Sequence, residues 1–293
     1  MSSHRRLLSK LKRGLASLFV CLVVLIPLFS LGWWVKYVFI HTDTRKAYAL
    51  PKFQPRKVDD SPPELFKEPL ISVTFDDGWE SVYTVAAPLL QKYGIHTTQY
   101  IISSTYKQKN YLSQSQIDSL LASGHEIGCH TVTHPDLTSL SDSDLWQELN
   151  GCKTTLEKEY HIVPLDFASP YGRFNKRTIS EIKKVFVTHR NTEGDFIDGI
   201  DNYDINLKQT FDRYNIISIT VRRDTPISQL KQVVDYTVKH KGWLVFDYHQ
   251  VDEGSSVYGL DKKSLGKQLA YLSSTPVKIV TIQQVLNTLK DSK

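Results

Sequence analysis

Cysteine is scarce in this sequence, and its scarcity excludes a fold held together by disulfide bonds. Only three of the 293 residues are cysteine. Cys21 lies in an apolar run, and Cys129 and Cys152 are too few for a disulfide framework and lack the Cys-x-x-Cys spacing of zinc sites. We expect Cys129 and Cys152 to be buried free thiols, with one bridge between them as the alternative.

An excess of charge is also missing from most of the chain. The formal net charge is +5, and the first 13 residues carry five basic side chains and no acidic one. The remaining 31 basic residues balance the 31 acidic ones, so the body of the protein is neutral. Proteins that bind a phosphate backbone carry a basic surface, and we therefore expect no nucleic-acid partner.

A run of 22 residues without any charge follows this basic tail, from position 14 to position 35. A helix of about 20 apolar residues crosses the hydrocarbon core of a membrane, and Trp33 and Trp34 lie where aromatic rings prefer the headgroup region. We predict that residues 14–35 are a transmembrane anchor, that the tail of residues 1–13 is cytoplasmic and that the rest is extracytoplasmic. The alternative is a cleaved signal peptide and a secreted protein, although the apolar part of such peptides usually has about 7–15 residues.

The anchor is followed by a predicted linker and then by a single predicted domain. Residues 36–69 contain five prolines, which disfavour helix and sheet interiors. From residue 70 to residue 293, short apolar segments alternate with segments of helical spacing, as in a parallel sheet covered by helices. We predict an α/β fold, a distorted barrel of about seven parallel strands. The predicted strands are Leu70–Phe75, Thr97–Ser103, Glu126–Cys129, Asp166–Ser169, Val185–Thr188, Ile216–Val221 and Leu244–Tyr248.

Polar side chains follow four of the predicted strands, at the ends where α/β barrels carry their active sites. The first pair is Asp76 and Asp77, after Leu70–Phe75. Adjacent carboxylates on an extended chain point in different directions, so one could bind a metal while the other acts as a base. A solvated turn is the alternative, because Asp-Asp-Gly is also a good turn sequence.

Two histidines follow the third predicted strand. His130 and His134 are four residues apart, so both would lie on one side of a helical turn and could bind the same ion. A pair of surface histidines is the alternative.

The other two clusters come after later strands. In Ser169-Pro170-Tyr171-Gly172, Pro170 fixes its own φ angle and Gly172 permits close approach of the backbone. Such a rigid loop could direct the Tyr171 N–H at a developing oxyanion, or it could be an ordinary loop. His249 ends the last predicted strand and could protonate a leaving amine, or it could be a core or rim residue.

Together these clusters resemble the ordered motifs of the polysaccharide deacetylases, the NodB-homology group or carbohydrate esterase family four. The resemblance covers about residues 70–290. The segment Gly124-His125-Glu126-Ile127-Gly128 and the residue Trp79 are also similar to the family. The motifs that carry the resemblance are Thr74-Phe75-Asp76-Asp77-Gly78, His130-Thr131-Val132-Thr133-His134, Ser169-Pro170-Tyr171-Gly172 and the stretch from Leu244 to His249.

The resemblance implies a metal-dependent hydrolase that removes N-acetyl groups from a polysaccharide containing N-acetylglucosamine, in a cell wall or an exopolysaccharide. By position in the motifs, Asp77, His130 and His134 would bind a divalent metal, usually zinc, with other first-row ions as alternatives. Three protein ligands leave one position open for water, as a catalytic zinc site requires.

The same resemblance implies the remaining roles. Asp76 would be the general base, His249 would be the general acid, and the Tyr171 N–H would help to hold the oxyanion. Pro170, Tyr171, Gly172 and Trp79 would contact the substrate. Independently of the resemblance, further aromatic side chains could stack on sugar rings, or could be packing or rim residues: Tyr106, Tyr111, Tyr203 and Tyr258.

Two departures from the family pattern concern the surroundings of the catalytic aspartate. Ala168 stands where the third motif often has an arginine that orients this aspartate, and no residue matches the fourth motif, an aspartate with a tryptophan. The Ala-x-Pro-Tyr-Gly loop is similar to an exopolysaccharide-associated branch of the family. We predict that Arg190 replaces the missing charge, with Arg222 and Arg223 as weaker candidates.

Three other functions are compatible with the sequence. The same site could remove O-acetyl groups, for instance from xylan or peptidoglycan. The domain could be a catalytically silent carbohydrate-binding module at the cell surface, which the presence of all five polar positions of the motifs disfavours. A membrane structural or partner-binding protein would leave the metal-binding pattern unexplained.

Overall fold

The computed structural model describes residues 68–105, 107–194, 205–207, 211–252 and 254–290. The predicted cytoplasmic tail, the predicted anchor and the linker up to residue 67 lie outside the described residues, as do Cys21, Tyr106 and Tyr203. Within the described ranges, no helix is long and apolar enough to span a membrane. Both described cysteines, Cys129 and Cys152, are buried free thiols.

Eight parallel strands form one sheet in the described part of the chain, and seven of them close into a barrel. The strands are β1 (Leu70–Phe75), β2 (Thr98–Ile101), β3 (Glu126–Cys129), β4 (Asp166–Ala168), β5 (Thr188–Gly194), β6 (Ile216–Thr220), β7 (Trp243–Tyr248) and β8 (Lys278–Ile279). Strands β1 to β7 pair in chain order, β7 pairs with β1 to complete the ring, and β8 pairs with β1 from outside it. The predicted barrel of about seven parallel strands is confirmed.

Seven α-helices accompany these strands in the described residues. They are α1 (Ala87–Tyr93), α2 (Gln114–Ala122), α3 (Asp142–Glu159), α4 (Lys176–Val185), α5 (Ile227–His240), α6 (Lys262–Ser274) and α7 (Ile282–Lys290). A π-helical turn, Val82–Ala86, leads into α1. Five helices begin at a side chain that accepts a hydrogen bond from a backbone N–H of the first turn, which supplies one of the partners that a helix start lacks. These residues are Ser113, Ser141, Asn175, Asp261 and Thr281.

One predicted strand is displaced in the structure. The apolar stretch that begins at Val185 predicted a strand from Val185 to Thr188, but Val185 ends α4 and the strand begins at Thr188. The buried Val185 and Phe186 pack at the end of the helix, where the Phe186 N–H donates to the Ile182 carbonyl. The strand itself is polar because its buried side chains include His189 and Arg190. An apolar pattern therefore does not locate it.

The N-terminal end of the barrel is closed by α7. Leu70, Ile216 and Trp243, the first residues of three strands, pack with Ile282 and Leu286 of this helix in one buried cluster. The closure leaves the opposite end of the barrel, where the polar clusters of the sequence follow the strands, available for a site.

Candidate active site

The C-terminal ends of the strands open onto a cleft of about 830 Å³, a volume typical of small-molecule sites. Side chains that follow β1, β3, β4 and β7 line this cleft, because the carboxyl ends of parallel strands meet at one end of a barrel. Seven of the residues predicted from the sequence are among them: Asp76, Asp77, His130, His134, Tyr171, Gly172 and His249.

Asp77, His130 and His134 bring three potential ligand atoms together, all within 4.8 Å of one another. Asp77 Oδ1 lies 3.6 Å from His130 Nε2 and 3.6 Å from His134 Nε2. This oxygen is buried and has no hydrogen-bond partner among the described residues, whereas Oδ2 accepts a hydrogen bond of 3.0 Å from Trp79 Nε1. Ligands at about 2.0–2.1 Å around one tetrahedral ion lie about 3.3 Å apart. The three atoms therefore fit a divalent metal after a small contraction.

The tautomer of His130 is also suitable for a metal ligand. His130 Nδ1 lies 2.9 Å from the Ala168 carbonyl oxygen. Because a carbonyl only accepts hydrogen bonds, Nδ1 carries the proton and the lone pair of Nε2 points toward Asp77. Burial lowers the pKa of His130 to about 4, against the opposing effect of Asp76 and Asp77. The imidazole is therefore neutral near pH 7, as metal binding requires.

The backbone that carries the two histidines is a loop, and the predicted helical turn is wrong. Thr131 and His134 have φ angles of 67° and 63°, in the left-handed region that a helix does not use. The His134 N–H donates to Thr131 Oγ1 at 2.8 Å. Glu148 of α3 accepts hydrogen bonds from the N–H groups of Val132 and Thr133 and from the Thr133 hydroxyl. These bonds hold the loop in the shape that turns both imidazoles toward Asp77.

Asp76 and Arg190 form a buried ion pair across the barrel. Arg190 Nη2 lies 2.5 Å from Asp76 Oδ1 and 2.6 Å from Oδ2. Burial alone would raise the pKa of Asp76, but Arg190, with His130 and His249, outweighs it and holds this pKa below its ordinary value. Asp76 is therefore ionised at neutral pH. Arg222 and Arg223, the weaker candidates for this contact, lie elsewhere: one beside Tyr258 and the other paired with Asp252.

Asp247 belongs to the site, although the sequence analysis did not single it out. Asp76, Asp247 and His249 form a second group whose acidic and imidazole atoms lie within 4.8 Å of one another. Ser218 Oγ donates to Asp247 Oδ1 at 2.7 Å. Burial raises the pKa of Asp247 above its ordinary value, against the effect of Arg190. Its position two residues before His249 was the available signal, because alternate residues of a strand share a face.

His249 has an unsatisfied ring nitrogen. Its Nδ1 is buried without a hydrogen-bond partner among the described residues, and its ring lies 5.1 Å from the ring of Tyr258. A buried imidazole nitrogen without a partner is costly in a folded protein. His249 itself lines the cleft, so its side chain is adjacent to a substrate bound there.

The Ser169–Gly172 turn is tied to β5. The Ser169 N–H donates to the Arg190 carbonyl, and Ser169 Oγ lies 2.8 Å from His189 Nε2. Tyr171 has a φ angle of 58°, and its ring lies 4.7 Å from that of His134. Burial lowers the pKa of His189 to about 4, so its ring is neutral. The turn thus places the Tyr171 side chain beside His134, one of the candidate metal ligands.

Two residues that were predicted to contact a substrate do not line the cleft. Trp79 is not among the cleft-lining residues; its ring stacks on Tyr111 at 4.8 Å, and its Nε1 orients Asp77. Pro170 is buried and is not among the residues that line the cleft. Tyr171, by contrast, is 62% exposed at the rim.

Comparison with known proteins shows which family this site resembles. Residues 65–189 match a family model described as polysaccharide deacetylase. This segment of the chain is similar to the polysaccharide deacetylases. The predicted resemblance to this family is confirmed for the matched segment, which includes Asp76, Asp77, His130, His134 and Tyr171 but ends before Arg190.

Two curated deacetylases are similar to part of the chain. A peptidoglycan-N-acetylglucosamine deacetylase of Bacillus cereus is 32% identical over 118 residues, which are 40% of this chain and 53% of that protein. The peptidoglycan-N-acetylglucosamine deacetylase PgdA of Listeria monocytogenes is 26% identical over 113 residues, which are 38% of this chain and 23% of that protein. The chain thus spans about half or less of the length of these relatives.

A solved structure is similar to a larger part of the chain. The peptidoglycan deacetylase PdaC from Bacillus subtilis superposes with a TM-score of 0.51 over 79% of this chain and 94% of that chain, at 20% sequence identity. At this identity the likeness concerns the fold alone. It covers more of the chain than the segment that the family model matches.

Proposed function

We propose that the domain is a metal-dependent hydrolase that removes N-acetyl groups from a polysaccharide containing N-acetylglucosamine. The observation that carries this proposal is the unpartnered, buried Asp77 Oδ1 at 3.6 Å from two imidazole nitrogens, next to Asp76 and within the same cleft as His249. The similarity of residues 65–189 to the polysaccharide deacetylase family supports the reaction, and the names of the relatives support the class of substrate.

In this proposal Asp77, His130 and His134 hold a divalent metal, most simply zinc. A zinc ion with three protein ligands polarises a carbonyl and lowers the pKa of water. Two neutral imidazoles and one carboxylate also suit other first-row ions, so the identity of the metal is left to measurement.

Asp76 is the proposed general base, because it is ionised, buried and next to the proposed ligands. Arg190 keeps the carboxylate charged and fixes its orientation through contacts to both oxygens. A base accepts a proton efficiently only when it is held within hydrogen-bond reach of the water that it activates.

His249 is the proposed general acid for the departing amine. Its Nδ1 has no partner among the described residues, and the buried Asp247 lies on the same strand face. The Tyr171 N–H is the proposed donor to the oxyanion, since the left-handed conformation of Tyr171 presents this turn beside His134. Oriented backbone N–H groups of this kind commonly lower the barrier of acyl transfer.

Acetate release tests the proposal. The purified full chain is incubated with N-acetylglucosamine oligomers in the presence of zinc or of a chelator, and Asp76→Asn is assayed alongside. We expect zinc-dependent release of acetate that Asp76→Asn abolishes while zinc binding, measured by calorimetry, persists. Zinc binding without release would reject the N-acetyl substrate, and O-acetylated xylan and peptidoglycan then test the esterase alternative. If the protein neither releases acetate nor binds zinc, the enzymatic function is rejected and a catalytically silent carbohydrate-binding module is favoured.

The location of the enzyme is part of the same proposal. The charge-free run of residues 14–35 and the basic tail before it support a membrane anchor with an extracytoplasmic domain. Fractionation of cells tests the anchor: we expect the protein to stay with membranes after an alkaline wash. Release into the medium as a shortened chain would instead support a cleaved signal peptide.

A further inference from the structure

We propose that Tyr258 and Arg222 form a subsite for the pyranose ring of the sugar that adjoins the reactive one, on the His249 side of the cleft. This inference rests on the proposed function and specifies how that site would hold a polymer. Tyr258 lies outside the residues matched by the family model, so the family match says nothing about this position.

The position of Tyr258 is suited to a neighbouring sugar. Its ring lies 5.1 Å from the ring of His249, is 44% exposed and lines the cleft. A group held beside His249 is therefore adjacent to the amine that His249 would protonate. The exposed part of the ring offers a flat apolar surface of the kind that stacks on the C–H face of a sugar.

Arg222 supplies the polar part of the subsite. Its Cζ lies 5.8 Å from the centroid of the Tyr258 ring, and its side chain lines the same cleft. A guanidinium has five N–H donors, which can bond to the hydroxyl oxygens of a sugar that stacks on the tyrosine. Asp224, which also lines the cleft, balances this charge locally. The chemistry therefore fits an uncharged hexopyranose.

The loop that carries Tyr258 is held in place before any sugar binds. Arg223 donates from its backbone N–H to the Val257 carbonyl at 2.8 Å and from Nε to the Ser256 carbonyl at 3.0 Å. The base of the loop is closed by hydrogen bonds between Leu260 and Gln250 and between Asp252 and Leu260. A binding surface that is already ordered loses less conformational entropy on binding.

A second exposed aromatic lies on another side of the reactive position. Tyr171 follows β4 and its ring lies next to that of His134, whereas Tyr258 follows β7 and its ring lies next to that of His249. Strands β5 and β6 separate β4 from β7 in the ring. A polymer whose reactive unit lies between the two histidines would extend toward both tyrosines.

The length dependence of the reaction tests the subsite. Initial rates are measured for N-acetylglucosamine oligomers from the shortest that reacts to the hexamer, with wild type, Tyr258→Ala, Tyr258→Phe and Arg222→Ala. We expect the gain in kcat/KM between the shortest oligomer and the hexamer to shrink about tenfold in Tyr258→Ala, mainly through KM, because stacking contacts are of this size. Tyr258→Phe, which keeps the ring, should restore most of the gain, and Arg222→Ala should lose part of it.

A matched control is Trp146→Ala, which removes an aromatic side chain with 43% exposure that does not line the cleft; its length dependence should equal that of wild type. An unaltered length dependence in Tyr258→Ala would overturn the subsite. An equal fall in kcat for every oligomer would do so as well, because it would mean that Tyr258 only positions His249.

A binding measurement separates this inference from the proposed reaction. Calorimetry of the hexamer with Asp76→Asn, which needs no turnover, should give a Kd about tenfold higher when Tyr258→Ala is added. This result would support the subsite even if no acetate is released by wild type. Equal affinities with and without Tyr258, or no binding of the hexamer, would overturn it.

Discussion

The charge that holds the candidate base comes from a different residue than in the family pattern. The third motif has Ala168 in place of an arginine, and Arg190 contacts both oxygens of Asp76 from β5. Position 168 and position 190 are neighbours in the sheet, because Ala168 pairs with Arg190 in the register of β4 and β5. A guanidinium therefore reaches the same carboxylate from an adjacent strand.

Replacement of Arg190 should separate catalysis from metal binding. In Arg190→Ala, we expect acetate release to fall at least a hundredfold while zinc still binds, because the proposed ligands do not contact Arg190. The variant also leaves Asp76 buried without its partner, so the free energy of unfolding should fall by about 3–5 kcal/mol. Chemical denaturation and calorimetry measure both effects.

Arg190→Lys keeps the positive charge, and it is the variant to compare in case Arg190→Ala loses activity only because it does not fold. It should recover stability but only part of the activity, because an ammonium does not reproduce the geometry of the guanidinium. Lys184→Ala, which removes an exposed lysine paired with Glu181, is the control for loss of a positive charge and should change stability by less than about 1 kcal/mol. A wild-type rate in Arg190→Ala would reject the positioning role.

At the scale of elements, β5 organises two parts of the site. Arg190 holds Asp76, while the Arg190 carbonyl and His189 hold Ser169 of the turn. The turn also packs tightly on this strand, because a Cβ at Gly172 would overlap Thr192 Oγ1 and lie 2.8 Å from Thr192 N. Glycine at 172 is therefore required by contact as well as by its φ angle of 65°.

Two glycines with almost the same φ angle test this requirement. Gly172→Ala should lower kcat/KM at least tenfold without changing zinc affinity, because the added methyl group pushes the Tyr171 peptide away from the proposed oxyanion. Gly94 has φ 64° at the end of α1, and nothing lies within 4 Å of an added Cβ. Gly94→Ala should therefore cost only the left-handed strain of about 1–2 kcal/mol and keep the wild-type rate. Equal activity of the two variants would contradict the argument from contact.

At the scale of the whole molecule, the two ends of the barrel differ in role: one carries the cleft and the other contributes to stability. The N-terminal end buries Asp166, whose Oδ1 accepts hydrogen bonds from Thr188 and from Gln283 of α7. Burial raises the pKa of Asp166 to about 7. The folded protein therefore retains a proton that the unfolded chain releases near pH 4. The free energy of unfolding contributed by this group falls as pH rises from about 4 to about 7.

Asp166→Asn should remove this dependence on pH, because an amide keeps the acceptor oxygen and does not ionise. Between pH 5 and pH 8, the Tm of wild type should fall relative to that of the variant by roughly 5 °C. Differential scanning calorimetry of both proteins at several pH values measures the difference. Asp118→Asn, a replacement at an exposed position of α2, should follow wild type. Parallel curves for wild type and Asp166→Asn would show that burial of Asp166 does not govern stability in this range.

Much of the barrel could be predicted from the chain because short apolar segments alternate with helical ones. The prediction was wrong at Val185–Thr188, where the apolar residues belong to the end of α4 and the strand has buried polar side chains. It was also wrong for the backbone between His130 and His134, since the spacing alone cannot distinguish a helical turn from a loop with two left-handed residues. Both errors arise where contacts with other elements override the local pattern.

By itself, the sequence determined which polar groups come at strand ends, because the order of strands and turns is local. The adjacent Asp76 and Asp77, the pair His130 and His134, and His249 follow from this order. Only the tertiary structure decided that Arg190 contacts Asp76, across 114 positions, and that Asp247 joins His249. The physical reason is ring closure: the barrel brings the interior faces of β1, β5 and β7 together, and no periodicity in one segment encodes which side chains then meet.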